Sequence, residues 1–235
     1  MKRLFCLSLS VLIFAGANAQ SPAKATTPSK PVFKNATDSF SYALGLNVAN
    51  SLKDQGVSEI NVELLKQAFN DVLKTNTPAM TQEVAIHTLQ GEMQKVSEKK
   101  LSAEKAKGQA FLEANKKKKG ITVLPNGLQY EIITPGDPAG MKPKPVDTVR
   151  VDYVGTTIDG TEFDSSIKRG EPTEFPLNGV IKGWTEILQL MPKGSKWKVY
   201  IPSDMAYGDR GAGGHIPGGA VLIFEITLHD IKPAK

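Results

Sequence analysis

Of 235 residues only one is a cysteine, three are histidines and two are tryptophans, and aromatic residues make up 7% of the chain. A disulfide framework needs cysteines in even number, and a structural zinc site needs cysteines and histidines at short spacing. Neither is available. Cys6 stands alone in the first apolar run, and His87, His215 and His229 lie far apart with no carboxylate at ligand spacing. No apolar run follows Phe14 that could span a bilayer, which takes about 20 residues. The glycines of Gly208-Asp209-Arg210-Gly211-Ala212-Gly213-Gly214 run into His215-Ile216-Pro217, a poor helix start, whereas a phosphate cradle requires strand, loop and helix in order. No serine occupies a nucleophile elbow. These absences argue against covalent, metal or cofactor chemistry, so neither metal ligands nor a cofactor is expected.

What is present divides the chain sharply. Lys2 and Arg3, the apolar stretch Leu4 to Phe14 and Ala17-Asn18-Ala19 have the form of a secretory signal cut near Ala19. Residues 1–19 are therefore expected to direct export and to leave with the only thiol, giving a soluble product in the periplasm, at the outer surface or secreted. Residues 20–36 are rich in Pro, Ser, Thr, Ala and Lys and read as a flexible leader. Residues 37–119 contain one proline, Pro78, and read as helical; from residue 120 to 235 prolines, glycines and β-branched residues crowd together.

Charge follows the same division: residues 21–119 hold 15 Lys and Arg against 10 Asp and Glu, and residues 120–235 hold 12 against 14. Much of the basic excess is Lys116 to Lys119 at the end of a helical pattern, where cations meet the negative helix terminus. Aromatic residues do not interleave with these lysines, as single-stranded nucleic acid would require, and no nucleic-acid partner is expected.

Three helices are predicted. The first starts at Thr37 or Asp38 as N-cap and stops at Gly56. The second is capped by Asn61 and carries Val62, Leu64, Leu65, Ala68, Phe69, Val72 and Leu73 on one face. A third runs from Thr81 to about Lys118, about 55 Å at 1.5 Å per residue. Its apolar stripe is dense from Val84 to Val96 and thins after Ser97, as in a helix leaving a core to cross solvent. The two shorter helices cannot close a core alone, so a homodimer through residues 37–95 is expected.

In the last part Val149, Val151 and Tyr153 alternate with polar residues, Asp159-Gly160 is a hairpin turn, and Trp197, Val199 and Ile201 and then Leu222, Phe224, Ile226 and Leu228 form further inward rows. One short helix fits between Trp184 and Met191. The fold class is α+β: an N-terminal helical dimerisation region with a long connecting helix, then an antiparallel β-sheet wrapped on a short helix.

Four ordered blocks carry a resemblance: Val151-Asp152-Tyr153-Val154-Gly155, Asp159-Gly160-Thr161-Glu162-Phe163-Asp164-Ser165-Ser166, Gly179-Val180-Ile181-Lys182-Gly183-Trp184, and Ala206-Tyr207-Gly208 followed by Ile216-Pro217 and Leu222-Ile223-Phe224. Together they resemble the signature of the FKBP-type peptidyl-prolyl cis-trans isomerases. The helical half, with Tyr42-Ala43-Leu44-Gly45-Leu46-Asn47 and Phe111-Leu112-Glu113-Ala114-Asn115-Lys116 running into Leu124-Pro125-Asn126-Gly127-Leu128, is similar to the exported dimeric branch of that family, the macrophage infectivity potentiator and its relatives. The resemblance implies a rotamase acting on proline-containing unfolded or partly folded exported proteins, with chaperone activity from the helical dimer and binding of macrolide inhibitors.

It also implies site residues. Tyr153, Phe163, Val180, Ile181, Trp184, Ile216 and Phe224 line a pocket with Trp184 as its floor. The Tyr207 hydroxyl and the Ile181 N–H donate to substrate carbonyls, Asp164 stands at the wall near the twisting carbonyl, and Arg169 orders Asp164 and neighbouring tyrosines. Thr173 stands where many relatives carry an aromatic residue, which shortens one wall. The competing reading is a dimeric holding chaperone or binding module whose barrel has little catalytic role.

Overall fold

The computed structural model describes residues 30–75 and 78–234; the expected signal sequence lies outside them. Two compact units divide between Asn47 and Val48. In the first, α1 (Ala36–Gln55) begins. Its cap is not Thr37 or Asp38 but Asn35, whose side-chain oxygen accepts the Asp38 N–H at 2.9 Å. Asp38 is already inside the first turn, where its charge favours the positive helix end. The Phe33 ring packs 5.2 Å from Tyr42, while Phe40, Leu44 and Leu46 remain exposed.

The second unit starts with the end of α1, closed at Gly56. Asn61 caps α2 (Val62–Asn70) by accepting the Leu64 N–H at 3.1 Å, and α2 passes into a π-helical turn at Asp71–Thr75. Val62, Leu64, Leu65, Phe69, Val72 and Leu73 are all exposed, so the apolar face read from the sequence exists and is uncovered in the single chain. Thr81 caps the long helix α3 (Gln82–Asn115), which ends three residues short of the expected Lys118. Only Gly108, Leu112 and Asn115 near its C-terminus are buried.

Those last turns have a seat. Leu112 packs with Tyr200 and Val221, and the Phe111 ring lies 5.9 Å from Tyr200. The buried Gln129 side chain donates to the Leu112 carbonyl at 2.9 Å and accepts from Asn115 at 3.0 Å. Lys105 pairs with Asp209 at 2.6 Å, and Gly108 lies so near Val221 that a Cβ would meet its Cγ2 at 2.8 Å.

Seven antiparallel strands form one sheet: β1 (Ile121–Val123), β2 (Gln129–Thr134), β3 (Thr148–Thr157), β4 (Glu162–Ser165), β5 (Thr173–Pro176), β6 (Lys196–Ile201) and β7 (Leu222–Lys232). The order is β1-β2-β6-β7-β3-β4, with β5 also on β3. The central strands β3, β6 and β7 supply alternating inward residues: Val149 and Val151, Trp197, Val199 and Ile201, and Leu222, Phe224, Ile226 and Leu228. A single helical turn α4 (Ser166–Arg169), absent from the sequence reading, follows β4, and α5 (Lys182–Leu188) begins two residues before the expected Trp184. Trp184, Ile187 and Leu188 of α5 are buried in the main core with the inward rows of the sheet.

No residue with a Cβ fits at Gly183 without movement, because the Cβ would fall 2.5 Å from Cγ2 of the fully buried Ile201. Overpacking of a filled core typically costs about 1–3 kcal/mol, more than a helix gains from alanine over glycine. Gly183→Ala is therefore expected to lower the urea unfolding midpoint of the protein, and a midpoint equal to the parent's would show that α5 can lift off β6 at no cost.

Candidate active site

A single strand edge assembles one wall. On β3, Gly155 pairs with Asp164 of β4 on one side and with Phe224 of β7 on the other. A Cβ at Gly155 would lie 2.8 Å from both the Phe163 and the Phe224 rings. The missing side chain therefore lets these two rings close over the strand, 5.6 Å apart and nearly perpendicular. Gly155 lies within the signature read from the sequence, but its role is visible only once the strands are paired.

Trp184 occupies the base. Its indole is 5% exposed and meets Tyr153 at 5.0 Å and 88°, Phe224 at 5.1 Å and 83°, and Phe175 at 5.4 Å and 51°. Edge-to-face contacts of this kind are worth about 0.5–1.5 kcal/mol each beyond burial, so the floor is rigid before anything binds. Above it opens a hollow of about 610 Å³, within the usual range for small-ligand sites. Tyr153, Phe163, Asp164, Val180, Ile181, Trp184, Tyr207, Ile216 and Phe224 all line it. The sequence reading did not include Phe175, Gly179, Ala212, Gly213 or His215 among the pocket residues; all five line the hollow, as does Thr173. The alternation Thr173-Glu174-Phe175 in β5 was the available signal for Phe175.

Arg169 does not line the hollow; it stands behind the wall. From α4 its guanidinium donates to Asp164 Oδ1, to the Tyr153 hydroxyl at 2.8 Å and to Thr173 Oγ1 at 3.1 Å. Tyr153 in turn donates its phenol to Asp164 Oδ2 at 2.5 Å. Thr173 thus places at the wall a hydroxyl that accepts from Arg169. The α4 turn is fixed by Ser165, whose hydroxyl accepts the Lys168 N–H at 3.2 Å, and is closed by Gly170.

The loop after β6 completes the rim. Ala212 and Ile216 exchange both backbone hydrogen bonds, at 2.9 and 3.0 Å. At Gly211, with φ +67°, a Cβ would fall 2.0 Å from the Ile216 carbonyl oxygen, so only glycine allows this neck to close. Tyr207, just before the loop, is 42% exposed. The Ile181 carbonyl accepts from Trp184 and Thr185 at the start of α5. No backbone partner for the Ile181 N–H occurs among the described residues.

Burial is the largest influence on the Asp164 carboxyl and pushes it upward, but hydrogen bonds from Tyr153 and Arg169 and the Arg169 charge outweigh it, leaving Asp164 below the ordinary carboxylate range. Burial, then the bond to Asp164, raises the Tyr153 phenol. The wall therefore presents an ionised but neutralised carboxylate and a neutral phenol within a hollow lined mainly by apolar and aromatic side chains. Because the folded state lowers Asp164, its contribution to stability is complete above the unfolded carboxylate value of about 3.9 and disappears as pH falls through the depressed value. The difference in urea midpoint between the parent and Asp164→Asn is thus expected to be constant above about pH 5 and to shrink below about pH 4; a difference independent of acid would mean that Arg169 does not hold the charge.

Comparison with known proteins supplies the family. Residues 140–229 match the model described as FKBP-type peptidyl-prolyl cis-trans isomerase, and residues 37–132 match the domain amino terminal to FKBP-type peptidyl-prolyl isomerase. The chain is 46% identical over 205 residues to the outer membrane protein MIP of Legionella longbeachae, covering 84% of this chain and 86% of that protein. It is 42% identical over 204 residues to the FKBP-type 22 kDa peptidyl-prolyl cis-trans isomerase of Escherichia coli K12, covering 86% and 98%. The crystal structure of FkpA from Escherichia coli superposes with a TM-score of 0.69 at 38% identity, covering 87% of this chain and all of that one. With both family models matched in sequence order and an aromatic hollow at the signature residues, the chain belongs to the FKBP-type peptidyl-prolyl cis-trans isomerases and is an enzyme of that activity.

Proposed function

We propose that this isomerase serves the folding of exported proteins, taking the proline of an unfolded or partly folded client into the hollow above Trp184. Rotation about a peptide bond is resisted by about 18–20 kcal/mol because resonance must be broken. An Xaa-Pro bond has cis only about 0.5–1 kcal/mol above trans, yet interconverts in tens to hundreds of seconds. No bond need form or break. The planar amide carries more charge on its oxygen than the twisted one, so an apolar enclosure disfavours the planar form, and catalysis follows if the twisted form is held better. The observation that carries this reading is the indole floor ringed by Tyr153, Phe175 and Phe224, beside a carboxylate already neutralised by Arg169.

In this reading Tyr207 donates its hydroxyl to a substrate carbonyl and the Ile181 N–H donates to another. Asp164, backed by Arg169, faces the twisting carbonyl, and Phe163, Val180, Ile216 and Phe224 grip the proline ring and its neighbours. Macrolide inhibitors, large and mostly apolar, suit the same hollow. Tyr207→Phe and Asp164→Ala are expected to lower kcat/KM on a short Xaa-Pro peptide about tenfold or more, as the loss of a hydrogen bond made in the transition state does. Turnover unchanged in both variants would show that another part of the molecule carries the reaction.

The helical half is read as a homodimerisation domain, residues 37–119, contacting its copy through residues 37–95, with residues 120–235 as the isomerase domain. Contiguous exposed apolar side chains mark contact surfaces; Leu64 and Phe69 on α2 and Val72 in the π-helical turn after it support the reading, as do Val84 and Leu89 on α3. The same faces suit the holding of unfolded clients, a chaperone activity alongside catalysis. Residues 1–19 are read as the signal that delivers the protein to the periplasm or beyond. Among the described residues no helix is long and apolar enough to cross a membrane. Phe69→Glu is expected to shift the full-length protein from dimer to monomer in analytical ultracentrifugation while leaving kcat/KM on a tetrapeptide near the parent's; a dimer that survives the charge would move the interface elsewhere.

A further inference from the structure

Behind the wall lies a hydrogen-bonded chain to which none of the pocket roles described above assigns a task. One edge of β3 is paired with β5 from Thr148 to Val151 and with β4 from Val154 to Thr156, leaving a gap at Asp152 and Tyr153. A ladder N–H in such a gap is a buried donor without a strand to receive it. Ser166 fills the gap. Fully buried as the first residue of α4, it accepts the Tyr153 N–H on its hydroxyl oxygen at 2.9 Å and donates its proton to Asp152 Oδ1 at 2.7 Å.

Asp152 is held from the far side by His229, whose Nε2 lies 2.7 Å from Oδ2. His229 reaches it because of a bulge: Val151 pairs with Leu228 and Arg150 with Asp230, so His229 is the extra residue on β7. Bulges commonly re-aim a side chain in this way. The chain from His229 through Asp152 to Ser166 thus ends on the backbone of the residue whose phenol bonds Asp164. Ser166 also opens the turn whose last residue, Arg169, bonds Asp164 from the other side.

We propose that Ser166 is a positioning residue for the isomerisation, braced by Asp152 and His229, and that it sets how Tyr153 and Arg169 hold Asp164; this rests on the reading of Asp164 as part of the catalytic wall. Without the hydroxyl, the Tyr153 N–H is orphaned and the start of α4 is no longer tied to β3. The phenol and the guanidinium can then drift relative to the carboxylate while the sheet stays intact.

The test uses the full chain and an Xaa-Pro peptide. Ser166→Ala is expected to lower kcat/KM about tenfold, the effect of losing one hydrogen bond to a charged group, and Ser166→Thr, which keeps the hydroxyl, to recover most of the loss. Asp230→Asn, beside the bulge but outside the chain, is expected to match the parent. In an Asp164→Ala background, Ser166→Ala is expected to add nothing, because coupled residues are not additive. Equal losses in both backgrounds, or parental turnover in a folded Ser166→Ala protein, overturn the proposal. A second readout needs no substrate: the Arg169 guanidinium NMR signal is expected to shift in Ser166→Ala and to return in Ser166→Thr, and an unmoved signal also overturns it. Parental turnover in Asp164→Ala, with the Arg169 signal displaced by Ser166→Ala, would overturn the reading of the wall and leave the geometry proposed for Ser166 standing.

Discussion

The edge-on packing of Tyr153 and Phe224 against Trp184, with Phe175 tilted beside them, governs the rest of the C-terminal structure. The rings of Tyr153 and Phe224 stand across the indole plane rather than parallel to it, and Trp184, only 5% exposed, still contributes to the lining of the hollow. Each ring comes from a different element: β3, β7, β5 and α5. The strand pairing that aligns Gly155 with both Asp164 and Phe224 is therefore as much a condition of the hollow as the rings. A strand slipped by one residue would turn its ring to the opposite face of the sheet, away from Trp184.

The charge at the wall is tolerable for a related reason. A carboxylate beside aromatic rings is costly unless it is paired and hydrogen-bonded. Asp164 meets that condition twice, through Tyr153 and through Arg169. Arg169 can reach it because β4 breaks at once into a single helical turn, which brings a residue five positions away back to the same carboxylate. Thr173 then occupies the third direction of the guanidinium fork. The result is a polar group fixed in place inside an apolar space, which is what orienting an amide without attacking it demands.

The alternation of Val149, Val151 and Tyr153 and of Leu222 to Leu228, the turn at Asp159-Gly160 and the caps Asn61 and Thr81 were legible in the sequence, because each is a local pattern with one structural meaning; the aromatic positions of the pocket came from the family resemblance instead. The N-cap of α1 was misplaced because Asn35, Thr37 and Asp38 all have capping side chains and only the chain path selects Asn35. The turn α4 is too short for any periodicity to reveal. In the sequence His229 has no carboxylate at ligand spacing; its bond to Asp152 depends on a bulge between strands, the two residues lying 77 positions apart, and register is not local information. Phe175 and Gly155 likewise take their meaning from what is opposite them rather than from what is beside them.

The last turns of α3 are shared property. Composition changes abruptly at Gly120, but Leu112, Tyr200 and Val221 form one small cluster across that line, and Gln129 stitches the Leu112 carbonyl to β2. A fragment begun at Gly120 to isolate the β-rich part would carry a bare greasy scar on its outer surface where the helix had lain, and a dangling amide at Gln129. Anyone dividing this molecule for biochemistry would do better to cut inside the helix, several turns upstream, than at the border that the amino-acid usage advertises.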